Sequence, residues 1–240
     1  MEEKFEAILK EKLEDLKISL SPLQEKKFFL YLKALQDWNR RINLTSIEEE
    51  EEIILKHFVD SLSCIIPIKE EPIEKVIDIG TGAGFPGIPL KILNPNWKIT
   101  LLESQKKKIL FLEEIVRILE LTNVNILWDR AENLAQNQDH REKYDLSLAR
   151  GVAKPNIVLE YSIPFLKISG IFLAQATEKK LPEWETQVKV AELLGSKLEK
   201  TLNISFDNIC RTFLIFRKEF PTPSKFPRKP GIPEKRPISL

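Results

Sequence analysis

The segment Val76-Ile77-Asp78-Ile79-Gly80-Thr81-Gly82-Ala83-Gly84-Phe85-Pro86-Gly87-Ile88-Pro89 constrains this chain more than any other. A short apolar run with the pattern of a buried strand enters four glycines within eight residues and leaves in a helical pattern. The whole chain of 240 residues has only eight glycines, so half of them serve one bend. Glycine tolerates positive φ and lets backbone approach a ligand with no Cβ in the way. In open α/β sheets ligands bind beyond the carboxyl ends of the strands, which is where this bend falls. A tight turn that binds nothing is the alternative.

The surrounding rhythm extends the reading. Strand patterns occur at Lys75–Ile79, Lys98–Leu102, Val124–Trp128, Asp145–Ala149, Gly170–Ala174, Lys200–Phe206 and Thr212–Arg217, and helical patterns fill the first four gaps, clearest at Lys106–Leu119. Such alternation implies right-handed βαβ units and a parallel sheet covered by helices. The last two strands leave no room for a crossover helix and should form an antiparallel hairpin. The expected fold is therefore α/β and Rossmann-like, a mostly parallel seven-stranded sheet ending in an antiparallel hairpin, with a helical region in front. Ser21-Pro22-Leu23-Gln24 has the form of a helix start, with Ser21 as N-cap, Pro22 at the first helical position and Gln24 closing a capping box. Further apolar stripes run through Phe5–Leu16 and Ile53–Leu62, the latter behind the acids Glu48 to Glu52, which suit a helix N-terminus. The division expected is 1–70 helical, 71–220 sheet core and 221–240 tail.

Formal net charge is only +1, but it is unevenly spread. Residues 1–66 carry 10 basic and 14 acidic side chains, whereas the last 24 carry 7 basic and 2 acidic together with six of the 15 prolines. A basic, Pro-rich tail cannot join a helix or central strand. No apolar run is long enough for a membrane span, and the N-terminus lacks the apolar block of a secretory signal. Cys64 and Cys210 stand apart from each other and from any ligand-spaced His, which argues for a reducing cytoplasm and against a structural metal. No long apolar stripe is left unassigned, which favours a monomer.

Gly82-x-Gly84-x-x-Gly87 also satisfies a dinucleotide fingerprint, so an NAD-linked oxidoreductase is one reading. Asp78, two residues before Gly80, argues against it. A carboxylate there is unfavourable beside a pyrophosphate but can accept hydrogen bonds or stabilise a ligand ammonium. Glu103 ends the second strand, where an acid can accept both ribose hydroxyls. S-adenosylmethionine (AdoMet), with an ammonium, a sulfonium and a ribose but no phosphate, fits an acid-flanked glycine loop.

With these residues in view the chain resembles the bacterial small-subunit ribosomal RNA guanine-N7 methyltransferases, the glucose-inhibited division protein B family. The likeness rests on Asp78–Pro89 and, outside the loop, on Trp38-Asn39-x-x-Ile42-Asn43-Leu44-Thr45, His57-x-x-Asp60-Ser61-Leu62, Arg130-Ala131-Glu132, Ala149-Arg150-Gly151-Val152-Ala153 and Pro227-Arg228-Lys229-Pro230-Gly231-x-Pro233. It covers about residues 25–235 in consistent order. It implies cofactor contacts from Gly80, Phe85, Glu103, Ser104, Gln105, Ala131 and Glu132, and the cofactor-binding set expected here also includes Asp78, Gly82, Gly84 and Arg150. Arg150 would lie next to the transferred methyl. The resemblance implies 16S ribosomal RNA or the small subunit as the partner. In one place the chain departs from the family pattern: Ala174-Gln175-Ala176 stands where the family usually has Lys-Gly.

Guanine N7 has an in-plane lone pair and no proton, so its methylation needs no general base, and the enzyme contributes mainly orientation and exclusion of water. No Asn-Pro-Pro-aromatic motif follows the fourth strand, and neither cysteine sits in a Pro-Cys context. Arg150 is expected to orient the base or a phosphate, or else to serve in a structural ion pair. Lys225, Arg228, Lys229, Lys235 and Arg236, with Phe226 among them, can follow an RNA backbone or form a solvated terminus. Lys106–Lys108 can add to a basic rim. His57 and Asp60 share a helix face, as a structural hydrogen-bonded pair or as a catalytic one, and Trp38, Asn39, Asn43 and Thr45 either serve the site or are core (Trp38) and backbone caps (Asn39, Asn43 and Thr45). A ribosome-assembly factor that binds RNA without transferring methyl groups is the reading from outside enzymology.

Overall fold

The computed structural model describes residues 2–239. The N-terminal helices form as their local signals dictate. Helix α1 spans Glu2–Leu13 and buries Phe5, Leu9 and Leu13 on one face. Helix α2 spans Pro22–Ile42; Ser21 accepts from the Gln24 backbone and Gln24 from that of Ser21, the reciprocal box that satisfies two otherwise free donors. It ends at Asn43 in the left-handed conformation. The third apolar stripe is not one regular helix. It runs as α3 (Glu50–Ile53), a π-helical stretch Ile54–Val59, α4 (Asp60–Leu62) and a 3₁₀ stretch Ser63–Ile68 that contains Pro67. Wide π turns re-aim side chains and recur at functional sites; here the stretch presents His57.

Seven strands follow: β1 (Lys75–Ile79), β2 (Lys98–Glu103), β3 (Val124–Trp128), β4 (Tyr144–Ala149), β5 (Leu166–Ala176), β6 (Ser196–Phe206) and β7 (Ile209–Lys218). Their order in the sheet is β3-β2-β1-β4-β5-β7-β6. Pairings are parallel through β5, and β7 lies antiparallel to both β5 and β6. The expected strands are all present; β5 and β6 begin four residues earlier than expected, at the buried Leu166 and Ser196, and the residues between these and the expected starts are mostly exposed. Helices α5 (Gly87–Leu93), α6 (Lys106–Ile118), α7 (Ala131–Leu134) and α8 (Pro155–Ser162) fill the first four gaps. The fifth gap also holds helical turns, α9 (Leu181–Glu185) and α10 (Val188–Leu193). Contrary to the expectation that the tail joins no helix, the short α11 (Ile232–Lys235) lies in it, with Pro233 in the first turn, where a missing N–H leaves no helical bond unmade.

Alternation along β1 sorts its side chains. Ile77 and Ile79 face a cluster with Leu102, Ala131, Tyr161 and Phe165. Val76 faces the larger cluster that joins Phe5, Phe28, Tyr31 and Phe58 of the N-terminal helices to Phe85, Ile88, Phe111 and Leu112. Each such aromatic, fully removed from water, contributes roughly 1.5–3 kcal/mol. The N-terminal helices thus share a core with the sheet. Because β2 and β3 lie to one side of β1 and β4 to the other, the chain reverses direction between β1 and β4, and a crevice opens above their carboxyl ends.

Candidate active site

The glycine loop is held from three directions. Below it, Asp78 is completely buried, and its Oδ2 accepts from Thr81 Oγ1 at 2.6 Å and from the Gly87 backbone at 2.8 Å. Its Oδ1 has no partner. Burial dominates over these bonds and over the nearby Arg150, and pushes the Asp78 carboxyl up to about 7. Behind the loop, Tyr31 donates to the Ala83 carbonyl at 2.5 Å and its ring stacks on Phe85 at 5.2 Å. From β2, Glu103 accepts from the Gly82 backbone at 3.0 Å and, through its other oxygen, from that of Gln105 at 2.8 Å. Two glycines are obligatory on geometric grounds. Gly84 has φ +95°, and a Cβ there would lie 2.4 Å from Ile88 Cδ1 and 2.8 Å from the Tyr31 hydroxyl. At Gly87 a Cβ would meet Asp78 Oδ2 at 2.7 Å.

Beside the loop, a cleft of about 320 Å³ opens over the ends of β1, β2 and β3. Of the residues singled out in the sequence, Gly80, Glu103, Ser104, Gln105, Ala131 and Glu132 meet on its wall, joined by Lys108 from the suspected basic rim. Asp78, Gly82, Gly84, Phe85 and Arg150 lie off that wall. The first four build the loop and its support, so the Asp78 carboxylate is sealed beneath the backbone instead of facing a ligand. Sequence reasoning missed Asp129, Tyr161 and Glu234. Asp129 directly follows β3, one place beyond the position that Glu103 holds in β2, and was legible by that signal; Glu234 comes from the tail and carried none.

Next to the loop, on the Phe85 side, is a second constellation. His57 stacks on Phe85 at 4.6 Å, and the Arg150 guanidinium lies 5.3 Å from the centre of the same ring. Burial pushes His57 down to about 3, so it is neutral, and its Nε2 is 2.7 Å from Thr45 Oγ1. Asn39 accepts from the Thr45 backbone at 2.8 Å, so the polar turn after α2 braces His57. Asp60, almost wholly buried, does not pair with His57. Its carboxylate binds Arg150 Nη1 at 3.0 Å, Arg211 Nε at 2.7 Å and Gln175 Nε2 at 3.0 Å. Gln175, in place of the family's usual Lys-Gly, is therefore a neutral donor to that carboxylate. Arg150 does enter an ion pair, yet part of its side chain remains exposed beside Phe85.

The tail is not a solvated terminus. Lys225, Lys229, Lys235 and Arg236 are exposed, but Arg228 turns inward. Its guanidinium grips Glu160, whose side chain is fully buried, with Nη2 at 2.6 Å and Nε at 2.9 Å from the two oxygens. Phe226 and Pro233 are buried as well.

The cleft suits a cationic ligand. Four acids (Glu103, Asp129, Glu132 and Glu234) and two bases (Lys108 and Arg130) line it, and Arg130 is paired with Glu132 and Glu234. The Gly82 amide, which a dinucleotide phosphate would require, is taken by Glu103. An acid-lined cleft at the β1/β4 switch point of this sheet, ending in its antiparallel β7, defines a class I AdoMet-dependent methyltransferase fold. In agreement, the chain superposes on a Klebsiella pneumoniae protein proposed to be an O-methyltransferase, with a TM-score of 0.59 and 13% identity over 92% of this chain and 100% of the other. The model of the rRNA small subunit methyltransferase G family matches residues 24–210, and the chain belongs to that family. It is 66% identical over 238 residues to the ribosomal RNA small subunit methyltransferase G of Dictyoglomus thermophilum, covering 99% of both chains. It is 45% identical over 224 residues to that of Acetivibrio thermocellus, covering 92% of each.

Proposed function

We propose that this chain transfers the methyl group of AdoMet to N7 of a guanine in small-subunit (16S) ribosomal RNA. The observation that carries the reading is the cleft itself, a glycine loop on one side and the Glu103 carboxylate on the other, with acids in excess and no free loop amide at Gly82. When bound, AdoMet supplies an electrophilic methyl on a positively charged sulfur. The residues of the chain bind, orient and exclude water. Glu103 is placed to accept from ribose hydroxyls with the lone pairs that Gly82 and Gln105 leave free. Ala131 and Glu132 border the adenine end, with Ser104 and Gln105 completing that wall. Gly80 brings bare backbone to the cleft, and the fixed field of Glu103 and the other acids on the wall favours a cation.

Arg150 is held by Asp60 and lies beside Phe85, so its free N–H groups are fixed before a substrate arrives. Donors there can hold guanine O6 or a phosphate while N7 keeps its lone pair for the methyl. N7 of a paired guanine faces a deep and narrow groove in A-form RNA, so the target guanine is unpaired, distorted or moved out of its stack. Lys225, Lys229, Lys235 and Arg236 supply phosphate contacts, and Arg228 anchors the segment that bears them. In this scheme residues 1–70 brace the loop, 71–220 carry cofactor and catalysis, and 221–240 meet RNA. The chain acts as a cytoplasmic monomer; no described helix is long and apolar enough to cross a membrane.

Incubation with labelled AdoMet and small-subunit rRNA or particles, followed by primer extension to map the modified base, tests the reading. Label at a guanine N7 is the expected result. RNA binding without label would point to an assembly factor. Calorimetric heat from NAD but none from S-adenosylhomocysteine would point to the oxidoreductase.

A further inference from the structure

The polar wall of the cleft is completed by a segment that lies about a hundred residues away in sequence. Glu132 is buried to all but a few per cent, and a buried carboxylate requires donors. One of them is the Gly231 backbone, whose N–H donates to Glu132 Oε1 at 2.9 Å. The Tyr161 hydroxyl lies 3.4 Å from that oxygen and also 3.4 Å from Glu234 Oε1. Glu234 itself lines the cleft and lies 3.6 Å from Arg130 Nη2.

The segment is fastened at both ends. Upstream, Arg228 clamps the buried Glu160 and closes its own loop by donating to the Arg236 carbonyl at 2.7 Å. Downstream, Asn156 on α8 donates to the Ile238 carbonyl at 2.9 Å, and Ile238 packs into the apolar cluster with Leu159 and Phe226. Gly231 has φ +78°, the left-handed conformation that aims its N–H inward while the prolines on either side keep the backbone stiff.

We propose that residues 228–238 are a strap that forms the outer wall of the cofactor cleft, so that AdoMet is bound jointly by the sheet and by the C-terminal tail. The inference rests on the AdoMet reading above and extends it. Two consequences follow from the placement. Without the strap, Glu132 and Tyr161 open to water, and their hydrogen bonds to any ligand weaken in the higher dielectric. Because the strap carries Lys229, Lys235 and Arg236 on its outer side, RNA that engages those cations also presses on the wall of the cofactor site.

The test is binding of S-adenosylhomocysteine measured by calorimetry in the absence of RNA, which removes any effect through RNA contact. A chain ending at Pro230 keeps Phe226 and the Arg228–Glu160 clamp but lacks Gly231 and Glu234. Its Kd is expected to rise at least tenfold over the full chain. Full-length Gly231→Pro, which removes the N–H and cannot adopt φ +78°, and Glu234→Ala are expected to raise Kd in the same direction. They decide the matter if the shortened chain does not fold. If the full chain binds S-adenosylhomocysteine and the shortened chain and both point variants bind it equally well, the strap proposal is wrong and the AdoMet reading stands. If the full chain does not bind it, both are overturned.

Discussion

Asp78 provides a quantitative test because its burial is complete and its partners are few. One oxygen receives two hydrogen bonds and the other none. The folded protein therefore holds the proton up to about pH 7, against an ordinary value of 3.8. A carboxyl whose pKa is raised on folding contributes most to stability below its unfolded pKa and loses that contribution as pH rises through the folded value. Between pH 3.5 and pH 8 the loss is about 4 kcal/mol, at 1.36 kcal/mol for each pKa unit. Asp78→Asn keeps the shape and the acceptor for Gly87 and Thr81 but has no ionisation to lose. Whatever fixed cost its amide brings, the stability of the variant relative to the parent should rise by about 4 kcal/mol across that interval. For a chain of this size the melting temperatures should diverge by roughly 8–16 °C. Paired thermal denaturation curves at half-unit pH steps measure it, and subtracting parent from variant cancels every other titrating group. A bound cationic cofactor favours ionised Asp78, so saturating S-adenosylhomocysteine, which keeps the ammonium, should narrow the gap. Parallel curves for parent and variant in the absence of ligand would refute the reasoning.

Gly84→Ala places a side chain at φ +95° against Ile88 and the Tyr31 hydroxyl; it is expected to cost roughly 2–5 kcal/mol, from left-handed strain plus overpacking, read as a loss of melting temperature with weakened cofactor binding. Tyr31→Phe leaves the buried Ala83 carbonyl without its donor and should destabilise by about 1–3 kcal/mol, measured by denaturant titration. Arg150→Ala should lower the methylation rate by about 10²-fold or more while the melting temperature moves by only a few degrees, because Arg211 and Gln175 still serve Asp60; equal loss of both would make Arg150 a structural residue. Asp60→Asn should release both arginines, and is expected to lower kcat in a methylation assay more than it raises KM for AdoMet, since the cofactor cleft does not include Asp60.

Local signals settled a large part of this molecule. The reciprocal bonds of Ser21 and Gln24 act within four residues, so α2 starts where the chain says it must. Apolar runs at strand length, separated by helical patterns, permit one kind of sheet, and the absence of room between β6 and β7 compels an antiparallel end. Four glycines after β1 pointed to a ligand site at the strand ends, and Glu103 could be read from its place at the end of β2, whereas Ser104, Gln105, Ala131 and Glu132 came from the resemblance to the family and from no local signal.

What only the tertiary structure decided involves contacts whose partners are distant along the chain and share no period. Tyr31 reaches the loop across 52 residues. Asp60 gathers Arg150, Gln175 and Arg211 from 90 to 151 residues away. The strap closes on Glu132 from 99 residues downstream. No propensity or spacing encodes such meetings, because they depend on sheet order and on which buried charge lacks a partner. The same physics explains Arg228 and Asp78. In the sequence Arg228 is one cation among several and Asp78 a carboxylate at a strand end. In the fold Arg228 is drawn inward because Glu160, deprived of water, requires a partner, and Asp78 is sealed beneath the loop it holds together.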